Sequence, residues 1–217
     1  MTPILFDLDG TLIDHFTTIH KAYAHTQRKL GLPEADYDKV RRTVGGSIQL
    51  TMRRLIGDDP RYDEAIQIFK EHFAEIMFDD VIVLPGTLEL CRALKEAGNR
   101  LAVFTNKYGP HARSICEHLG YSQYMDLVIG AEDTPYRKPH LEYSKIVLEK
   151  LGVKAEETIL VGDSPFDVDA ARVVQMQAAY VVSTGSHTAH QLEEETDANG
   201  VFQSMQDLAK EVFSIEI

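Results

Sequence analysis

Ile4-Leu5-Phe6-Asp7-Leu8-Asp9-Gly10-Thr11 is the stretch that decides the fold. Its three apolar residues read as a short buried strand, and two carboxylates follow where that strand ends. Asp7 and Asp9 alternate with Leu8, so extended backbone would point both to one face. Gly10 permits a sharp turn directly after them. In a doubly wound sheet, ligands bind outside the carboxyl ends of the strands. Two acids at such a place are costly unless something positive neutralises them. A magnesium ion would do so.

A second acidic cluster downstream repeats the pattern. Thr158-Ile159-Leu160-Val161 is another short apolar run, followed by Gly162-Asp163-Ser164-Pro165-Phe166-Asp167. Asp163 falls at that strand's carboxyl end, and Pro165 suits the first turn of a helix. Asp167 lies in the same opening turn, where a carboxylate favours the helix dipole. Between the clusters, Leu101-Ala102-Val103-Phe104-Thr105-Asn106 puts a hydroxyl at a strand end. Arg137-Lys138-Pro139 puts a cation on a loop, and Pro139 disfavours helical backbone at Lys138.

The rest of the chain organises around these points. From residue 84 onward, helix-like and strand-like runs alternate: helix 87–97, strand 101–105, helix 111–119, strand 127–129, helix 142–151, strand 158–161, helix 165–174 and strand 179–182. This is the pattern of a parallel sheet covered by helices. Residues 15–80 break it. Phe16, Ile19 and Tyr23, then Ile66, Phe69 and Phe73, recur at helical spacing, with almost no strand signal between. The expected plan is an α/β core, residues 1–14 and 81–217, doubly wound and Rossmann-like, with a helical insertion at 15–80.

Composition narrows the classes. The 217 residues are 44% hydrophobic, enough for a substantial core, and the net charge of −12 argues against a nucleic-acid partner. It does not argue against a phosphorylated ligand, because nearby lysines and a metal set the local charge. Cys91 and Cys116 make no disulfide framework and are expected to be buried thiols. Neither a signal peptide nor a membrane-spanning stretch is visible, so a cytoplasmic location is expected. The nine histidines lack zinc-ligand spacing.

Taken in order, the DLDGT, VFTN, RKP and GDSPFD elements resemble the haloacid dehalogenase superfamily, and specifically its phosphoglycolate-phosphatase-like and beta-phosphoglucomutase-like group. The resemblance spans nearly the whole chain. It implies that the insertion is a cap over the active site and that the chain is a magnesium-dependent phosphatase of a small phosphorylated metabolite. It implies Asp7 as nucleophile, forming an aspartyl phosphate, and Asp9 as acid and then base. Thr105, Asn106 and Lys138 would hold the phosphoryl group. Asp7, the Asp9 carbonyl, Asp163 and Asp167 would serve the metal, with Asp167 either a ligand or a partner of the ligands. A phosphomutase of the same fold is the alternative; a non-catalytic binding protein on this scaffold is the more distant one. Departures from the family pattern fall at His15, Arg137, His140 and Gln175 and remove no catalytic group, but they loosen any assignment to a named substrate. His15, Ser47 and the arginines 41, 42, 53 and 54 are the residues of the insertion that could face a substrate.

Overall fold

A computed structural model describes residues 1–217. The first apolar run forms β1 (Ile4–Phe6), and β2 (Ile13–Asp14) follows the Asp9–Gly10 turn. Four helices come next: α1 (Phe16–Lys29), α2 (Tyr37–Arg41), α3 (Ile48–Ile56) and α4 (Tyr62–Ile76). β3 (Ile82–Val83) then returns antiparallel to β2, so the helical segment leaves and re-enters through one two-stranded ribbon. Regular alternation follows: α5 (Thr87–Glu96), β4 (Leu101–Tyr108), α6 (Gly109–His118), β5 (Leu127–Ala131), α7 (Leu141–Leu151), β6 (Ile159–Gly162), α8 (Pro165–Arg172) and β7 (Ala178–Val182). The chain closes with α9 (Ala189–Glu195), β8 (Gly200–Phe202) and α10 (Met205–Phe213).

Six strands form one parallel sheet in the order β5-β4-β1-β6-β7-β8. The central strands are apolar up to their carboxyl ends because both faces are covered. Their period-two alternation divides the core. Ile4, Phe6, Leu101, Val103, Ile159 and Val161 enter one apolar layer, whereas Leu5, Ala102, Phe104 and Leu160 enter the other. The first layer continues into the helical insertion through Ile19, Tyr23, Met52, Phe69 and Phe73. The chain passes from β1 to β4 and β5 on one side, then to β6 and β7 on the other. The crevice at this reversal lies beyond the carboxyl ends of β1, β4 and β6.

The α/β architecture matches the expectation, with three differences. β4 runs to Tyr108, three residues past Thr105, through a register shift against β5. The return to the core, expected at Leu84-Pro85-Gly86, is made by β3 instead; residues 84–86 form the turn into α5, with Thr87 N–H donating to Leu84 O. α9, β8 and α10 had no counterpart in the sequence reading, because β8 is three half-buried residues and both helices are short.

Gly10 has φ +87°, and a Cβ there would lie 2.6 Å from Asp163 Oδ2 and 2.7 Å from Gly185 Cα. Both strain and collision therefore oppose any side chain. Gly10→Ala is expected to destabilise the protein by more than about 1 kcal/mol, lowering Tm by a few degrees. An unchanged melting curve would show that the turn relaxes freely.

Candidate functional site

All seven residues singled out in the sequence converge at the crevice. Asp7, Asp9, Thr105, Asn106, Lys138, Asp163 and Asp167 are buried. Asp7 and Asp9 follow β1, Thr105 and Asn106 belong to β4, and Asp163 follows β6. Asp167 sits in the first turn of α8, and Lys138 arrives on the loop before α7.

Lys138 is the centre of the arrangement. Its Nζ donates to Asp167 Oδ1 at 2.6 Å and lies 2.9 Å from Asp7 Oδ1, the latter outside hydrogen-bond alignment. Burial alone would lower its pKa, but the Asp167 and Asp7 charges prevail and raise it. Its loop is fixed by Asn106, whose Oδ1 accepts from Lys138 N–H at 2.7 Å and whose Nδ2 donates to Lys138 O at 3.1 Å. The same Nδ2 donates to Gly45 O of the helical insertion at 3.0 Å. Asn106 thus organises the lysine loop and ties it to the insertion.

Asp167 has both oxygens occupied. Oδ2 accepts from the Asp163 and Ser164 N–H groups and from Ser164 Oγ, completing a capping box at the start of α8. Asp163 Oδ2 accepts from Ser186 N and Oγ at 2.9 and 3.2 Å, while its Oδ1 has no partner. Gly185 makes room for this carboxylate, since a Cβ there would lie 1.8 Å from Oδ2. The 183–186 run of small residues past β7 escaped the sequence reading; its place at a strand's carboxyl end was the available signal.

Asp7, Asp163 and Asp167 each present an oxygen within 4.8 Å of the others. One ammonium, Lys138, pairs with two of these three carboxylates, Asp7 and Asp167, and Asp163 Oδ1 is left without a partner. Burial raises the Asp7 pKa most, Lys138 lowers it and Asp167 raises it again, leaving it at about 6. Burial and the Asp7 and Asp167 charges push Asp163 well above the usual carboxylate range. Surplus negative charge and oxygen-only donors suit a hard divalent cation.

Asp9 belongs to a separate electrostatic unit. Lys107 Nζ donates to its Oδ1 and Oδ2 at 3.0 and 2.8 Å. Burial would raise the Asp9 pKa, but Lys107 and His15 outweigh it and hold the carboxyl below its usual range. Lys107 was missed in the sequence because β4 was ended too early. His15 Nδ1 is 3.7 Å from Asp9 Oδ1, too far to hydrogen-bond, and neither ring nitrogen has a partner. Burial and Lys107 lower its pKa. His15 thus packs beside Asp9 and is not part of the open cavity wall.

A cavity of about 60 Å³ lies between the core and the insertion. Asp7, Asp9, Thr105 and Lys107 form part of its floor; Ile19, Tyr23, Ile48, Thr51, Phe69 and Phe73 supply much of its roof. Ser47 also reaches it, whereas none of the arginines 41, 42, 53 and 54 does. Cys91 and Cys116 are buried free thiols, and burial pushes Cys116 up to about 12. No helix is long and apolar enough to cross a membrane.

Comparison with known proteins gives concordant results. The model of the haloacid dehalogenase-like hydrolase family matches residues 4–181. A probable phosphatase, IndB, of Dickeya dadantii is 34% identical over 194 residues, covering 87% of this chain and 84% of that protein. A phosphoglycolate phosphatase of Aquifex aeolicus is 35% identical over 175 residues, covering 79% of this chain and 80% of its own. Among solved structures, a predicted phosphatase from Clostridium acetobutylicum superposes with a TM-score of 0.89 at 24% identity, covering 99% of both chains. A predicted phosphoglycolate phosphatase from Haemophilus somnus gives 0.88 at 23%, covering 97% of both.

The crowded carboxylates cost stability without a cation. A carboxyl whose folded pKa exceeds its unfolded value weakens the fold on ionising, so Asp7 removes stability as pH rises from 3.8 to about 6. Asp163 acts in the same direction. At about pH 7.5 in chelator, Asp163→Asn is therefore expected to raise Tm by a few degrees and to shrink the rise produced by magnesium. A lower Tm for the variant in chelator would show that the free carboxylate is no burden.

Proposed function

The chain is a phosphatase belonging to the haloacid dehalogenase-like hydrolases, and from that premise we propose that it hydrolyses a small phosphorylated metabolite through an aspartyl phosphate on Asp7, with magnesium as cofactor. One observation carries the reading. Asp7 and Asp9 share a cavity but belong to different charge networks, one around Lys138 and one around Lys107. One fold thereby gives two neighbouring carboxylates different work.

An Asp7 oxygen attacks phosphorus, the bond to the leaving oxygen breaks, and Asp9 delivers a proton to that oxygen. Water then attacks the phosphoryl group, Asp9 takes its proton, and phosphate departs with Asp7 restored. Lys138 and the Thr105 hydroxyl offset charge on the transferring group. Asp7, Asp163 and the Asp9 carbonyl would hold magnesium, which supplies charge neutralisation to the phosphoryl oxygens. The unpartnered Asp163 oxygen and the closeness of Asp7 and Asp163 support that donor set. With both oxygens engaged, Asp167 acts as the positioning residue for Lys138 and Asp163. Residues 15–80 act as a cap, a reading supported by their share of the cavity wall and by Lys70 and Gln49 reaching Glu132 across the cleft.

Lys107 keeps Asp9 anionic, the form needed to activate water. A phosphoryl monoanion entering beside Lys107 competes for the ammonium and passes its proton to Asp9, which then delivers it to the leaving oxygen.

The direct experiment is phosphate release from p-nitrophenyl phosphate with magnesium or chelator. Asp7→Asn is expected to lower kcat by a factor on the order of 10³ or more while the protein stays folded. Near-normal turnover would reject the nucleophile, and isomerised sugar phosphate without phosphate release would favour a mutase. With an alkyl phosphate, Lys107→Met is expected to move the basic limb of the kcat/KM profile to higher pH, because the cation that lowers the pKa of the acid Asp9 is lost. An unmoved limb would separate Lys107 from the Asp9 titration.

A further inference from the structure

The roof of the cavity says what kind of alcohol is released. Tyr23, Phe69, Phe73, His111 and Tyr108 form a continuous chain of rings along it, with successive centroids 4.2, 5.6, 5.2 and 4.9 Å apart. Ile19, Val44 and Ile48 extend the apolar surface. Apart from His111, the polar side chains on the roof are hydroxyls, and Thr51 already donates to Thr43 O at 2.9 Å.

No arginine lines this cavity, and its one lysine is Lys107. Lys107 already binds both oxygens of Asp9, and its side chain is 7% exposed. Four cations of residues 15–80 are already engaged: Arg41 with Gly185 O, Arg53 with Asp58, Arg61 with Asp59, and Lys70, 4.7 Å from the Tyr108 ring of the cavity wall, with both oxygens of Glu132. Against these stand Asp7 and Asp9, both open to the cavity. A carboxylate on the leaving group would be buried beside two acids, with no cation of its own. Burying an unpaired charge is strongly unfavourable, and like charges at close range are rejected.

We propose that the leaving group is a compact, uncharged and largely apolar alcohol, and that the site discriminates against phosphate esters carrying a carboxylate. The proposal rests on the phosphatase reading above and deepens it. Phosphoglycolate, for which the Aquifex aeolicus relative is named, bears such a carboxylate and is therefore expected to be a poor substrate of this chain. Burial, Lys107 and Lys70 lower the His111 pKa to about 4, so the cavity gains no cation from it near neutral pH.

The test compares phosphoglycolate with phosphoglycolamide, which keeps the shape and loses the charge, and with propyl phosphate. p-Nitrophenyl phosphate serves as the reference for catalytic competence. With magnesium, kcat/KM for the two uncharged esters is expected to exceed that for phosphoglycolate by at least about tenfold. Equal or faster turnover of phosphoglycolate, with p-nitrophenyl phosphate hydrolysed normally, overturns the leaving-group proposal alone. Failure on all four esters overturns the phosphatase reading together with it. Ile48→Lys, which places a cation on the roof, is expected to shift the ratio toward phosphoglycolate by about tenfold. An unchanged ratio in a folded, active variant also overturns the proposal, by placing charge selection elsewhere.

Discussion

A single buried ammonium, Lys138, stands among three carboxylates, and the structure around it follows from that imbalance. Burying unpaired acids is prohibitive, so each must be matched by a donor or a cation. Lys138 satisfies one oxygen of Asp167 and faces Asp7. What remains without a partner is Asp163 Oδ1, and the surplus negative charge around it suits a bound cation. The loop carrying Lys138 has no regular structure before α7, and Asn106 supplies the stiffness that a helix or strand would otherwise give.

The glycines belong to the same constraint. Gly10, Gly162 and Gly185 pack so closely on Asp163 and Asp167 that no Cβ fits. Backbone N–H groups therefore reach the carboxylates directly, at Asp163, Ser164 and Ser186. Asp167 unites two tasks: its capping box starts α8, and its second oxygen orients the lysine. Loss of helix capping and loss of the site are thus the same event.

Above this rigid floor, the insertion is joined to the core by contacts of a different kind. Arg41 to Gly185 O, Asn106 to Gly45 O and Lys70 to Glu132 are polar links between segments far apart in sequence. Beneath them, Phe73 packs within one apolar layer continuous with β1 and lies 4.8 Å below the Lys107 ammonium. The roof contributes shape and apolar surface, whereas charge is concentrated in the floor. Under the proposed function, that division would leave the phosphoryl group to the core residues and the rest of the molecule to the insertion.

The sequence alone determined the parallel core, the helical insertion between β2 and β3, and the residues gathered at the crevice. These are local properties: apolar runs of strand length, acids where the runs end, and glycine or proline at the breaks. Strand direction and the connection rule then bring the ends together. The pairing of Lys107 with Asp9, the burial of His15, the full occupancy of Asp167 and the cation-poor roof were decided by tertiary structure. Asp9 and Lys107 lie 98 residues apart, and a lysine at a strand end can turn to solvent or to a carboxylate with equal local ease. Only the packed environment, by removing water from one of those choices and placing an acid in it, selects between them.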